Sequence, residues 1–282
     1  MSITDPVPIS LGLINRPFLD RDLRYGIELE YEGVILPRET LQHWTTTPDG
    51  SLRNNGVEFV SNILDRDTLP QALDTIEEFL LPLHPDANPR CGVHVHMNMR
   101  PQTVGQLFSF LVAYVLMEPS IFQHYCPERL TSSFCVPVYK NNDVIARAHA
   151  AVQSARRGDS RPLSNLVNTS KYSAMNVSSL ARFGTVEARQ FPATTDFRLL
   201  RRWITTLTRL YDVSVRYADP ARVVAIYEGL GLTGFQDTFL NVRVNVPQEE
   251  QRQAYIAGSI MAGYNEPTWE DLHWDNITLE EL

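Results

Sequence analysis

Apolar and polar positions alternate from Tyr25 to Tyr31 (YGIELEY), as in a strand with Ile27, Leu29 and Tyr31 on one face and Glu28 and Glu30 on the other. The same period recurs in Gly56 to Ser61 (GVEFVS), entered through the turn Asp49-Gly50-Ser51, and in Gly92 to Asn98 (GVHVHMN). Tyr172 to Val177 and Thr185 to Phe191 (TVEARQF) read as two further strands, joined by a short SSLARFG link that suits a hairpin. Helical spacing predicts helices over Leu69 to Leu83, Val104 to Tyr125, Val144 to Arg157, Phe197 to Tyr217 (closed by Pro220) and Glu249 to Ala262. Strands joined by hairpins and helices of unequal length predict an α+β fold, an antiparallel β-sheet with helices packed on one side. The expected organisation is an irregular lead-in over 1–22, a core over 23–200, and a helical C-terminal part over 201–282 packed on that core. No internal repeat or low-complexity tract interrupts it, and Leu83 to Pro89 is a loop.

Composition narrows the class of function. The chain has 282 residues, 43% hydrophobic and 21% charged, enough to bury one large core or two modest ones. A net charge of −8 argues against nonspecific capture of nucleic acid, which relies on Lys and Arg neutralising phosphates. The longest apolar run, Leu107 to Met117, is about half of the roughly 20 residues that span a bilayer, so no membrane partner is expected. The opening MSITDPVPIS lacks a basic segment followed by an apolar core, which makes the cytoplasm the expected compartment. Cys91, Cys126 and Cys135 form no CxxC pair and are odd in number, against a disulfide framework or a thiolate zinc site. The apolar stripe around Trp203 is expected to be core rather than a subunit contact, though an oligomer stays compatible with it.

The candidate chemistry lies on the polar faces of the strands. Glu28 and Glu30 alone describe an amphipathic strand with acids in water. His94 and His96, two apart on one face, suit a common metal or nucleotide site about as well as a structural role. Glu187 and Arg189 alone describe a surface ion pair, and Glu58 sits between Val57 and Phe59. Together, four predicted strands present Glu, Glu, Glu, His, His, Glu and Arg without a lysine, whereas random solvated faces mix in Thr, Ser, Lys and Gln. The joint pattern favours a convergent site. Four carboxylates together repel one another without a cation, and hard oxygen ligands with imidazole suit Mg²⁺ or Mn²⁺ bridging phosphates better than structural zinc. No GxxxxGK[ST], strand-following GxGxxG or GxSxG occurs, so metal and arginines would have to hold any ATP phosphates, and a serine hydrolase ranks low.

In their order along the chain, YGIELEY, DGSL with GVEFVS, CGVHVHMN, and KYSAMN with TVEARQFPAT resemble the amidoligases of the carboxylate-amine ligase superfamily, over roughly 24 to 200. The resemblance implies the glutamine-synthetase and glutamate-cysteine-ligase type of fold. It also implies an ATP- and magnesium-dependent ligase that joins a small-molecule or peptide carboxylate to an amine through an acyl phosphate. On it, Glu28 and Glu30 correspond to first-strand metal carboxylates, Glu58 to the acid of a neighbouring strand, His94 to the imidazole ligand and Glu187 to a further metal ligand with a catalytic part. His96 lies closer to the nucleotide, and Arg189 holds the transferring phosphoryl group. Asp49, in the DGS turn, borders the substrate pocket, and Lys171 and Asn176 are carried over as nucleotide-binding positions. The C-terminal third matches no motif and leaves the substrate open. Two other classes compete: a noncatalytic protein that holds a nucleotide or peptide on the same fold, and a metal-dependent hydrolase whose ligands activate water.

Overall fold

A computed structural model describes residues 22–264 apart from 35–40, 55 and 160. All of the expected lead-in except residue 22, and residues 265–282 of the C-terminal part, lie outside the described residues. Six strands form one sheet: β1 (Tyr25–Tyr31), β2 (Trp44–Pro48), β3 (Val57–Ser61), β4 (Gly92–Asn98), β5 (Met175–Asn176) and β6 (Thr185–Pro192). Their order is β2-β3-β1-β4-β6-β5, and every pairing is antiparallel. The described residues also form seven helices: α1 (Thr68–Leu80), α2 (Val104–Tyr125), α3 (Asn142–Arg157), α4 (Ser179–Phe183), α5 (Phe197–Arg216), α6 (Pro220–Phe239) and α7 (Gln248–Ala262). The architecture is α+β, as the alternation of patterns predicts.

Most apolar residues of the strands turn to one side. Ile27, Leu29, Phe59, Val93, Val95 and Ala188 are 0–1% exposed and join the core formed by the helices. Phe59 meets Phe79 of α1 at 5.9 Å between ring centroids, and Phe191 stacks on Trp203 of α5 at 5.9 Å. Trp203 is therefore core. The central helix α2 starts with a capping box in which Thr103 and Gln106 satisfy each other's backbone N–H groups. It is the one described helix long and apolar enough to cross a membrane, and 94% of its most apolar window is buried inside the protein. Helix α7 lies so close to it that a Cβ on Gly258 would meet Leu116 at 3.0 Å. Residue 200 falls within α5, and one hydrophobic cluster holds side chains from both sides of that point.

Three elements differ from the sequence expectation. β2 was not expected. The strand expected over Tyr172 to Val177 is shortened to Met175–Asn176, and the link to β6 contains the short helix α4. Pro220, expected to close a helix, instead opens α6, where Asp219 accepts from Ala221 N at 3.0 Å.

Candidate functional site

Residues paired directly across an antiparallel ladder share a face. Glu30 pairs with Glu58 and Glu28 with His94, and His96 pairs with Glu187. Glu187 in turn pairs with Asn176, and Glu58 with Thr47. The period of two that buries Ile27, Leu29, Val93 and Val95 thus sets the acids and imidazoles on the opposite face, across four strands.

A β-bulge refines the arrangement. Val93 pairs with Phe191 but Val95 pairs with Ala188, so β6 carries one extra residue around Arg189 and Gln190. Glu187 and Arg189 stay on the polar face while Phe191 enters the core. Gln190, 0% exposed, donates from Nε2 to the Tyr114 hydroxyl at 2.6 Å.

The imidazoles bind the acids together. His94 Nδ1 lies 3.0 Å from Glu28 Oε2 and 3.6 Å from Glu187 Oε1, and its Nε2 lies 3.8 Å from Glu30 Oε1. His96 Nε2 is 3.4 Å from Glu28 Oε1 and 4.0 Å from Glu187 Oε1, while its Nδ1 meets Thr185 Oγ1 at 2.9 Å. Glu187 is held at both oxygens: Asn176 Nδ2 donates to Oε2 at 2.7 Å, and the Arg189 guanidinium donates to Oε1. The Gly92 N–H donates to Glu30 Oε2 at 2.7 Å. Glu30, His94, Asn176 and Glu187 are buried.

Charge is unevenly shared. Burial pushes the Glu58 carboxyl up, and the neighbouring charges of Glu28 and Glu30 push it further, to about 7. Burial also raises Glu30 against the favourable charge of His94. Burial acts the same way on Glu28, but hydrogen bonds to His94 and His96 outweigh it and hold the carboxyl well below its ordinary range. Neighbouring carboxylates with divergent proton affinities are a mark of functional sites.

Three overlapping sets of side chains bring ligand atoms within 4.8 Å of one another: Glu28, His96 and Glu187; Glu28, Glu58 and His94; and Glu30, Asp49 and Glu58. The donors are carboxylate oxygens and imidazole nitrogens, with no thiolate. Their total negative charge exceeds what Arg189 offsets. That donor set and that excess of charge fit a hard divalent cation such as Mg²⁺ or Mn²⁺.

One end of the cluster opens into a cavity of about 390 Å³, within the size range of small-molecule sites. Glu28 and His96 line it together with Ile63, Arg100 and Phe183. Phe183, on α4, sets its ring 5.8 Å from that of His96.

The comparisons with known proteins bear on this geometry. A family model described as "Putative amidoligase enzyme" matches residues 36–211, more than half of the chain. The chain belongs to this amidoligase family. No curated protein matches it. Membership assigns ligase-type chemistry, and the matched span contains β3, β4, β5 and β6.

The fold brings together nearly all the positions singled out in the sequence. Glu28, Glu30, Glu58, His94, His96 and Glu187 converge, Arg189 and Asn176 hold Glu187, and Asp49 joins Glu30 and Glu58. Lys171 stands apart: it is exposed, with its ammonium 5.4 Å from the centre of the neighbouring Tyr172 ring. Sequence reading missed Gly92, Thr185 and Phe183. Gly92 was within reach, since it lies on the same face as His94 and His96 and only a missing side chain leaves Glu30 room there.

Proposed function

We propose that this amidoligase is an ATP- and Mg²⁺-dependent carboxylate-amine ligase that activates its acid as an acyl phosphate. The observation that carries the reading is the cluster of carboxylates and imidazoles, flanked by Arg189 and opening at His96 and Glu28 into the 390 Å³ cavity. A carboxylate resists amines until its oxygen becomes a leaving group, and transfer of a γ-phosphoryl group makes it one. The apolar cavity walls at Ile63 and Phe183 suit a nucleotide base, and Arg24 and Arg100 add positive charge to the lining. A divalent cation held by Glu28, Glu30, Glu58, His94 and Glu187 supplies charge neutralisation at the phosphate oxygens. Arg189, fixed by Glu187, presents a planar fork to the transferring group, and Asn176 keeps Glu187 from turning away. Asp49 stands on the β3 side, where it can border the acid or the incoming amine.

The test follows one oxygen atom. Heavy oxygen placed in the substrate carboxylate is expected in inorganic phosphate, with ADP as the nucleotide product and with hydroxylamine trapping a hydroxamate. Label in AMP would mean adenylation. Solvent oxygen in the product without any need for ATP would mean a metal-dependent hydrolase. ATP affinity should also depend on Mg²⁺ or Mn²⁺, and equal calorimetric affinity in excess chelator would sink the metal cluster.

A further inference from the structure

We infer that Arg129 is the residue that grips the reacting carboxylate of the acid substrate, an assignment that rests on the ligase reading above. Arg129 follows α2, is 5% exposed, and is the one buried Lys or Arg among the described residues. Its Nη1 donates to the Cys91 carbonyl at 3.0 Å, and its Nε lies 3.5 Å from Cys135 Sγ. Among the described residues, Nη2 has no hydrogen-bond partner and no carboxylate lies at ion-pair distance. A buried guanidinium without an anion is unfavourable, because neutral acceptors replace lost hydration only in part. Such a group is built to receive one.

The place it faces is defined by Gly92. A Cβ on Gly92 would meet His94 Nε2 at 3.2 Å, Glu30 Oε2 at 3.4 Å and Arg129 Nη1 at 3.5 Å. The missing side chain therefore lets the metal cluster and Arg129 close on the same point, the cluster on one side and Arg129 on the other. Its position along the strands matters as much. The nucleotide cavity lies over the start of β1 and the end of β4, whereas Gly92 and Glu30 lie at the opposite ends of these two strands. Phosphoryl transfer places the attacking and leaving oxygens roughly in line across the phosphorus. With the nucleotide at one strand end, the carboxylate must approach from the other, where Arg129 is the buried cation. One carboxylate oxygen attacks the γ-phosphorus and ADP departs with the electron pair of the broken P–O bond. Arg129 holds the other oxygen and aims the first.

The experiment uses the full chain, labelled with ¹⁵N in its arginine side chains and loaded with Mg²⁺ and a non-hydrolysable ATP analogue. Acetate is the probe, since it carries the reacting group and little else. The guanidinium resonance of Arg129, assigned by its disappearance in Arg129→Lys, is expected to shift saturably with acetate and not with chloride at matched ionic strength. If Arg129→Lys fails to fold, Cys135→Ala assigns the same resonance by removing the contact at Nε. An arginine that merely ties Cys91 to Cys135 would ignore acetate, and that result overturns the inference while leaving the ligase reading intact. Failure of the wild type to bind the analogue with Mg²⁺ sinks both.

Discussion

Glu58 shows at the scale of one side chain what the cluster does to the fold. In the native protein its carboxyl keeps its proton up to about pH 7, against an ordinary value of 4.5. Between those values the native state binds more protons than the unfolded chain, so the metal-free protein loses stability as pH rises through the window and stays weakened above it. Buried Glu118, which burial pushes up to about 7 against hydrogen bonds from the Val138 and Tyr139 N–H groups, adds a fall of the same sign. Glu58→Gln removes one part of this. One pKa unit corresponds to about 1.4 kcal/mol, and solvent at this partly exposed group reduces the yield, so the variant is expected to gain about 1–2 kcal/mol at about pH 8. Little gain is expected at about pH 5, where the native carboxyl is already neutral. Thermal unfolding in chelator at both pH values decides, and an equal effect at both would mean that charge is not what Glu58 contributes. A second expectation concerns geometry: Arg189→Lys should lose turnover while retaining divalent-metal affinity, because a point charge cannot replace the planar fork that spans Glu187 and a phosphate. Simultaneous loss of metal binding in calorimetry would show that Arg189 serves only to hold Glu187.

At the scale of elements, the bulge in β6 depends on help from the helix layer. The Gln190 side chain is carried into the core, where its Nε2 donates to the hydroxyl of Tyr114 of α2, which also hydrogen-bonds Glu118. Tyr114→Phe leaves a buried amide without its acceptor, and a loss of about 1–3 kcal/mol is expected in denaturant unfolding. Turnover should fall as well, since Arg189 precedes Gln190 directly. Unchanged stability would mean that the bulge is held by backbone pairing alone. The same elements explain how far the sequence could be read. The strands β1, β3, β4 and β6 stand out because each has one apolar and one charged face, and the site was legible for that very reason. β2 reads Trp-Thr-Thr-Thr-Pro, since at the sheet edge only Trp44 needs burial. Helix α6 lacks a clear stripe and is interrupted at Gly231, whose φ of 65° and ψ of 178° are not helical. Arg129 stayed hidden because nothing in a loop sequence tells which charge the fold will bury.

For the whole molecule, the strand order has a consequence in time. Glu28 and His94 are separated by 66 residues along the chain, and His96 and Thr185 by 89, yet all belong to neighbouring strands. Contacts between such distant segments form slowly, because the chain entropy lost in closing each loop precedes any return from pairing. Here the closing step also drives carboxylates from separate segments together. If β1 and β4 pair in the transition state, that repulsion is felt on the way up the barrier, and the ion that suits the finished site acts as a folding catalyst. Refolding after dilution from denaturant, followed by stopped-flow fluorescence, is expected to be faster with Mn²⁺ than with chelator. A refolding rate indifferent to Mn²⁺ would place the convergence of charge after the barrier, so that the metal would slow unfolding alone.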